Sequence, residues 1–145
     1  MSLVGLRQDA TREFQSDLDK GKGTPEATVF TLGTLTARVQ VYLRDQATKF
    51  KPDPENPGEV VAEFLPNHSA FETVRFGLKG WANFKDDEGK DVPFNTENQK
   101  LGGRDHMVVD EDSMDFLHGD VIRELAEALN EINTLSEKEV KNSEG

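Results

Sequence analysis

Between residues 105 and 118 the chain crowds Asp105, His106, Asp110, Glu111, Asp112, Asp115 and His118, the one stretch where carboxylates and imidazoles are dense enough to suggest divalent-metal chemistry. The spacing does not carry that chemistry. A calcium loop of the EF-hand kind needs acidic residues at alternate positions with a glycine at the sixth, and a zinc helix needs two histidines at i and i+4 around a glutamate. Neither pattern is present, so the stretch reads as a solvated acidic loop leading into a helix N-terminus, where negative charge is favourable. Tightly bound metal is not expected. Serine hydrolysis fares no better: Ser69 and Ser113 lie outside any Gly-x-Ser-x-Gly elbow, and His68 has no oriented partner in sequence. The glycines of Gly21-Lys22-Gly23-Thr24 lack the first glycine of a phosphate loop and precede a strand-like segment, so they read as a turn. The expectation is a protein that is not an enzyme and needs no cofactor.

What remains is aromatic chemistry. Phe76, Trp81, Phe84 and Phe94 fall in the densest aromatic stretch of the chain, residues 71–94, which also holds its single tryptophan. Aromatic side chains dominate protein interfaces when they fill desolvated pockets, so these four are the partner-binding candidates. The competing reading is core. Read as a helix, residues 71–80 align Phe71, Val74 and Leu78 with Trp81 on one apolar face, and a face of that kind must pack. Trp81 is therefore expected to be buried, and Phe76, which falls off the face, is the best candidate for a contact.

Length and charge set the frame. A chain of 145 residues is read as one domain, large enough to bury roughly 70% of the surface its unfolded form exposes. There is no cysteine, which removes disulfides, thiolate zinc sites and cysteine nucleophiles and points to a reducing, cytoplasmic setting. No apolar run approaches the ~20 residues of a membrane span, and the first residues carry no signal-peptide pattern. With 28 acidic against 17 basic side chains and a formal charge of -11, the chain repels nucleic acid and anionic membranes and would attract a basic partner.

The elements follow from period and punctuation. Residues 1–24 form a loose arm or short helix, with Leu3, Leu6, Ala10, Phe14 and Leu18 on one face and a Gly/Pro turn to end it. Residues 27–32 are β-branched and aromatic, hence a strand. Thr34 or Thr36 can cap a helix striped by Leu35, Val39, Tyr42, Leu43, Ala47 and Phe50, with Lys49 and Lys51 in its last turn and Pro52 as its stop. The three prolines of residues 51–58 make a surface loop. Residues 59–65 are equally readable as strand or helix. Asn67 or Ser69 can cap the next helix, which ends near Gly80, and residues 83–85 and 91–94 flank an Asp/Gly turn as a hook. Residues 95–114 show no period and read as irregular. A helix over about 115–133 turns Val121, Ile122, Leu125, Ala126, Leu129 and Ile132 inward, with Asp112 or Ser113 as its cap. A capping-box spacing at 136–139 predicts one more turn, and 141–145 should fray.

These pieces predict an α+β fold, about three principal helices packed on a small antiparallel sheet or hairpin. The segments TVRFGLKGWANFKDDEGKDVPF and VIRELAEALNEINTLSEKEVKN, with GTPEATVFTLGTLTARVQVYLRDQAT upstream, carry a family pattern over residues 23–142. The chain resembles small proteins of the morphogenesis gene block of tailed bacteriophages, some of which are tail assembly chaperones. The resemblance implies a non-enzymatic viral protein that assists tail assembly through contacts with the tape measure or tail tube, in the host cytoplasm during infection. It leaves two alternatives, a structural virion component such as a head-tail or tail completion subunit, and an acidic protein that binds and inhibits a host factor.

Overall fold

The computed structural model describes residues 2–134, so the capping box at 136–139 and the frayed end at 141–145 lie outside the described residues. The fold is α+β, with four helices and seven strands among the described residues. No helix among them is long and apolar enough to cross a membrane.

The central sheet is antiparallel. Its edge strand β1 (Thr11–Phe14) pairs with β2 (Val29–Gly33), which pairs on its other side with β5 (Leu78–Ala82). Phe30 stands opposite both Phe14 and Trp81, and a bulge between Thr31 and Leu32 sets Leu32 against Leu78. Of the two readings of residues 1–24, loose arm or short helix, residues 2–10 take the first, and the chain then enters β1. Leu3, Val4 and Leu6 are exposed, and so is Leu18 beyond the strand, while Phe14 of the predicted face packs against the core from β1. The Gly/Pro turn at 21–25 is present, with Gly21 donating its backbone N–H to the Asp19 carboxylate and Gly23 to the Gln15 side-chain oxygen.

Helix α1 (Ala37–Gln46) starts where a cap allows it, since the Thr36 hydroxyl accepts the Val39 N–H at 3.4 Å. It stops four residues short of Phe50. The Ala47 carbonyl accepts the Leu65 N–H at 2.6 Å, and the chain turns into β3 (Thr48–Pro52), which pairs with β4 (Val60–Phe64) as a hairpin. Long-range pairing overrides the local helical stripe here. The proline-rich segment closes the hairpin: Glu55 donates its N–H to the Asp53 carboxylate, and Gly58 takes a positive φ that other residues adopt at a cost. Pro52 is tolerated because it ends a strand with an open edge.

Helix α2 (Pro66–Gly77) places proline at its first position, where the missing N–H costs nothing, and neither Asn67 nor Ser69 serves as its cap. It ends at Gly77, so Leu78 and Trp81 belong to a strand and the continuous helical face of the sequence reading does not exist. The glycine has a packing role. A Cβ on Gly77 would stand 2.5 Å from a Leu129 methyl, so its absence lets α2 approach the last helix, α4 (Gly119–Ile132). Leu125, Ala126 and Leu129 of α4 are buried, and Val121, Ile122 and Ile132 pack at the margin.

Residues 95–114 are ordered into a second hairpin where no regular structure was expected. β6 (Thr96–Leu101) and β7 (Arg104–Val109) pair across Gly102 and Gly103, both with positive φ as a two-residue turn requires. Short helix α3 (Glu111–Met114) follows, capped by Asp110, whose carboxylate accepts the Ser113 N–H at 2.7 Å. Asp112 and Ser113 therefore sit inside α3, and His118 occupies the N-cap position of α4. The hairpin is fastened to α2 by Arg75. This buried guanidinium donates to the Val109 carbonyl at 3.1 Å, to the Glu72 carboxylate at 3.2 Å and to Glu97 at 2.5 Å.

Candidate protein-binding surface

The residues first suspected of metal chemistry are spent on separate structural tasks. Asp105 accepts from the Asn98 amide across β6–β7, Asp110 caps α3, Glu111 and Asp112 lie in the first turn of that helix, and Asp115 follows its end. The His106 ring lies 6.1 Å from that of Phe76, with its Nε2 buried and unpartnered among the described residues. No three His, Cys, Asp or Glu side chains among the described residues converge on a point that could hold a metal ion. Ser113 is buried, its hydroxyl accepting the Asn95 N–H at 3.0 Å.

Three of the four aromatic candidates are brought together. Trp81 meets Phe84 at 5.0 Å and Phe94 at 4.9 Å between ring centroids, both edge to face, and Phe30 of β2 completes the group. The expected hook forms, with Lys85 bridging Asp91 and the Trp81 indole N–H donated to the Val92 carbonyl at 2.9 Å. Trp81, Phe84 and Phe94 are half-buried and pack against the core. Phe76 is the correction. It is only 3% exposed, 5.8 Å from Tyr42 on one side and close to His106 on the other, because α2 turns that face toward α1 and β7. A residue enclosed in this way is core and offers a partner nothing.

The exposed aromatic surface lies on β3–β4. The register pairs Thr48 with Phe64, Phe50 with Ala62 and Pro52 with Val60, and alternation along each strand puts these six on one face. Phe50 is 69% exposed, Val60 68% and Phe64 54%. The opposite face carries Lys49, Lys51, Val61 and Glu63, with a Lys51–Glu63 ion pair at 3.2 Å. The hairpin thus has the two-faced pattern of a strand pair that covers a core, but its apolar face is turned to solvent. Scattered apolar side chains are normal on a surface, whereas a contiguous face marks a contact site. The sequence held the signal. Phe50 and Pro52 on one strand, and Val60, Ala62 and Phe64 on the other, alternate with a period of two that the helical stripe through Phe50 conceals.

Phe64 also lines a groove of about 550 Å³ between α1, α2 and α4. Leu35, Val41 and Leu43 supply apolar wall; Ser69, Thr73 and Asn130 supply polar groups; and Arg44 is the single charge. Lys79, by contrast, lies away from this groove: its ammonium donates to the Phe76 carbonyl at 2.8 Å, and desolvation lowers its pKa from the ordinary 10.5.

No family model, no curated protein and no solved structure matches this chain.

Proposed function

We propose that this chain is a non-enzymatic bacteriophage morphogenesis protein that assists tail assembly by holding a structural protein, the tape measure or the tail tube, through reversible contact. The observation that carries the protein-binding part of this reading is the uncovered apolar face of β3–β4, with Phe50, Val60 and Phe64 exposed on the same side of the pairing. A two-stranded hairpin is marginal alone in water, and a partner laid on its apolar face would both bury that face and stabilise the pairing. The phage part rests on the resemblance of residues 23–142 to tail morphogenesis proteins. The formal charge of -11 fits a protein that keeps an aggregation-prone client in solution and meets basic partners faster than neutral ones.

The test is co-expression with a tape-measure or tail-tube protein that is insoluble alone. The parent should keep it in solution. Phe50→Asp combined with Val60→Asp should abolish that effect while leaving the melting temperature within a few degrees, because both positions are exposed. A double variant that solubilises the client as well as the parent would overturn the assignment of the surface. Stoichiometric presence in purified particles would favour the virion-component reading, and selective recovery of a host enzyme would favour the inhibitor reading.

A further inference from the structure

We infer that the groove between α1, α2 and α4 receives a short polypeptide segment of the partner that carries apolar side chains and one carboxylate, the carboxylate pairing with Arg44. The inference rests on the protein-binding reading above and specifies the chemistry of what is bound.

Phe64 belongs to two surfaces at once, the apolar face of β3–β4 and the wall of the groove. The exposed Val41 of α1 lines the same groove, and from the groove at Phe64 an apolar track runs out along the hairpin to Val60. From Phe64 to Val60 alone that track is ~13 Å long at the ordinary rise of a strand. The groove volume falls in the range that holds a small molecule, but the track continues well outside it, which a polypeptide covers and a small ligand does not.

The charge settles the remaining chemistry. Arg44 has no ion-pair partner among the described residues. A guanidinium at the edge of an apolar groove is matched by a carboxylate, whose bonds to it are stronger than those between neutral groups. A second copy of the chain would bring another -11 to the contact, whereas a segment with a single acid brings little repulsion and the pairing group.

A displayed library of random 16-residue peptides should be panned on the full chain and counter-selected on Val41→Glu, an exposed position whose change blocks the groove. Enriched peptides should combine apolar residues with an Asp or Glu. Arg44→Gln should weaken the best peptide about tenfold, and replacing the acid of that peptide by its amide should weaken it similarly on the parent with no further loss on Arg44→Gln. Binders without an acid, equal affinity for Arg44→Gln, or no binder sensitive to Val41→Glu would overturn the inference. So would parent dimers in sedimentation that Val41→Glu dissociates, since the occupant would then be a second copy. Client solubilisation lost in the Phe50/Val60 double variant, together with unchanged peptide binding by Arg44→Gln, would sink this inference and leave the protein-binding reading standing.

Discussion

Two regions of the molecule present aromatic side chains from short antiparallel pairings, and they end in opposite states. In the hook of residues 81–94, Trp81, Phe84 and Phe94 close on one another and on Phe30, and the polar N–H of the indole is satisfied by the Val92 carbonyl. In the β3–β4 hairpin, Phe50 and Phe64 stand on a face that no other element covers fully. The number of aromatic residues does not separate the two. What separates them is the neighbour: β2 delivers Phe30 to the hook, whereas nothing among the described residues lies over Phe50. Aromatic residues on a short pairing therefore join the core where a third element arrives, and stay exposed where none does.

Truncation would sharpen this contrast most at its buried extreme. Phe76→Ala should cost about 4 kcal/mol, the range for a large aromatic deleted from a core, while Phe50→Ala should stay within ~0.5 kcal/mol of the parent. Urea unfolding of the two variants side by side gives both values. Arg75→Met should follow at about 3 kcal/mol, since removing one partner of a buried ion pair strands the other, here Glu72 with the Val109 carbonyl. Hydrogen exchange of β6–β7 should show that hairpin loosening first. Trp81→Ala should cost about 2 to 3 kcal/mol, less than Phe76 because the indole is only half-buried. A loss below ~0.5 kcal/mol would move the hook into the class of the hairpin and break the comparison.

The smallest effect concerns the hairpin turn. The Asn56 amide and the Glu55 backbone N–H hold the Asp53 carboxylate below its ordinary 3.8. A lowered folded value means that the turn is favoured above the unfolded value and that this preference is lost as pH falls through the folded one, a window below pH 3.8. An NMR titration should find the Asp53 midpoint there, and Asn56→Ala should move it upward.

The sequence showed the class of fold and much of its punctuation. Thr36 as cap of α1, the turn at 21–25, the hook at 83–94 and the inward stripe of α4 are all visible as local patterns, because each is decided by a side chain and its immediate neighbours. What was hidden depends on distant pairing. Residues 48–52 carry a helical stripe and become a strand because residues 60–64 pair with them. Residues 96–101, Thr-Glu-Asn-Gln-Lys-Leu, are too polar to announce a strand and are held by β7 and by Arg75 from α2. A helical wheel that runs through Leu78 to Trp81 leaves Phe76 off the apolar face and makes it the best candidate for a contact. The wheel fails because Gly77 ends the helix, and the face assumed to be free is the one that packs on Tyr42 and His106. The exposed apolar face of β3–β4 stays hidden for the matching reason, since the helical stripe takes in Phe50 although α1 ends four residues before it.

Hydrogen-exchange footprinting of the complex with a co-expressed tape-measure or tail-tube protein addresses the central claim most directly. Amides of residues 48–64 should exchange at least tenfold more slowly in the complex, while those of residues 81–94 keep the rates of the free protein. Protection confined to residues 81–94, with 48–64 unchanged, would contradict the account.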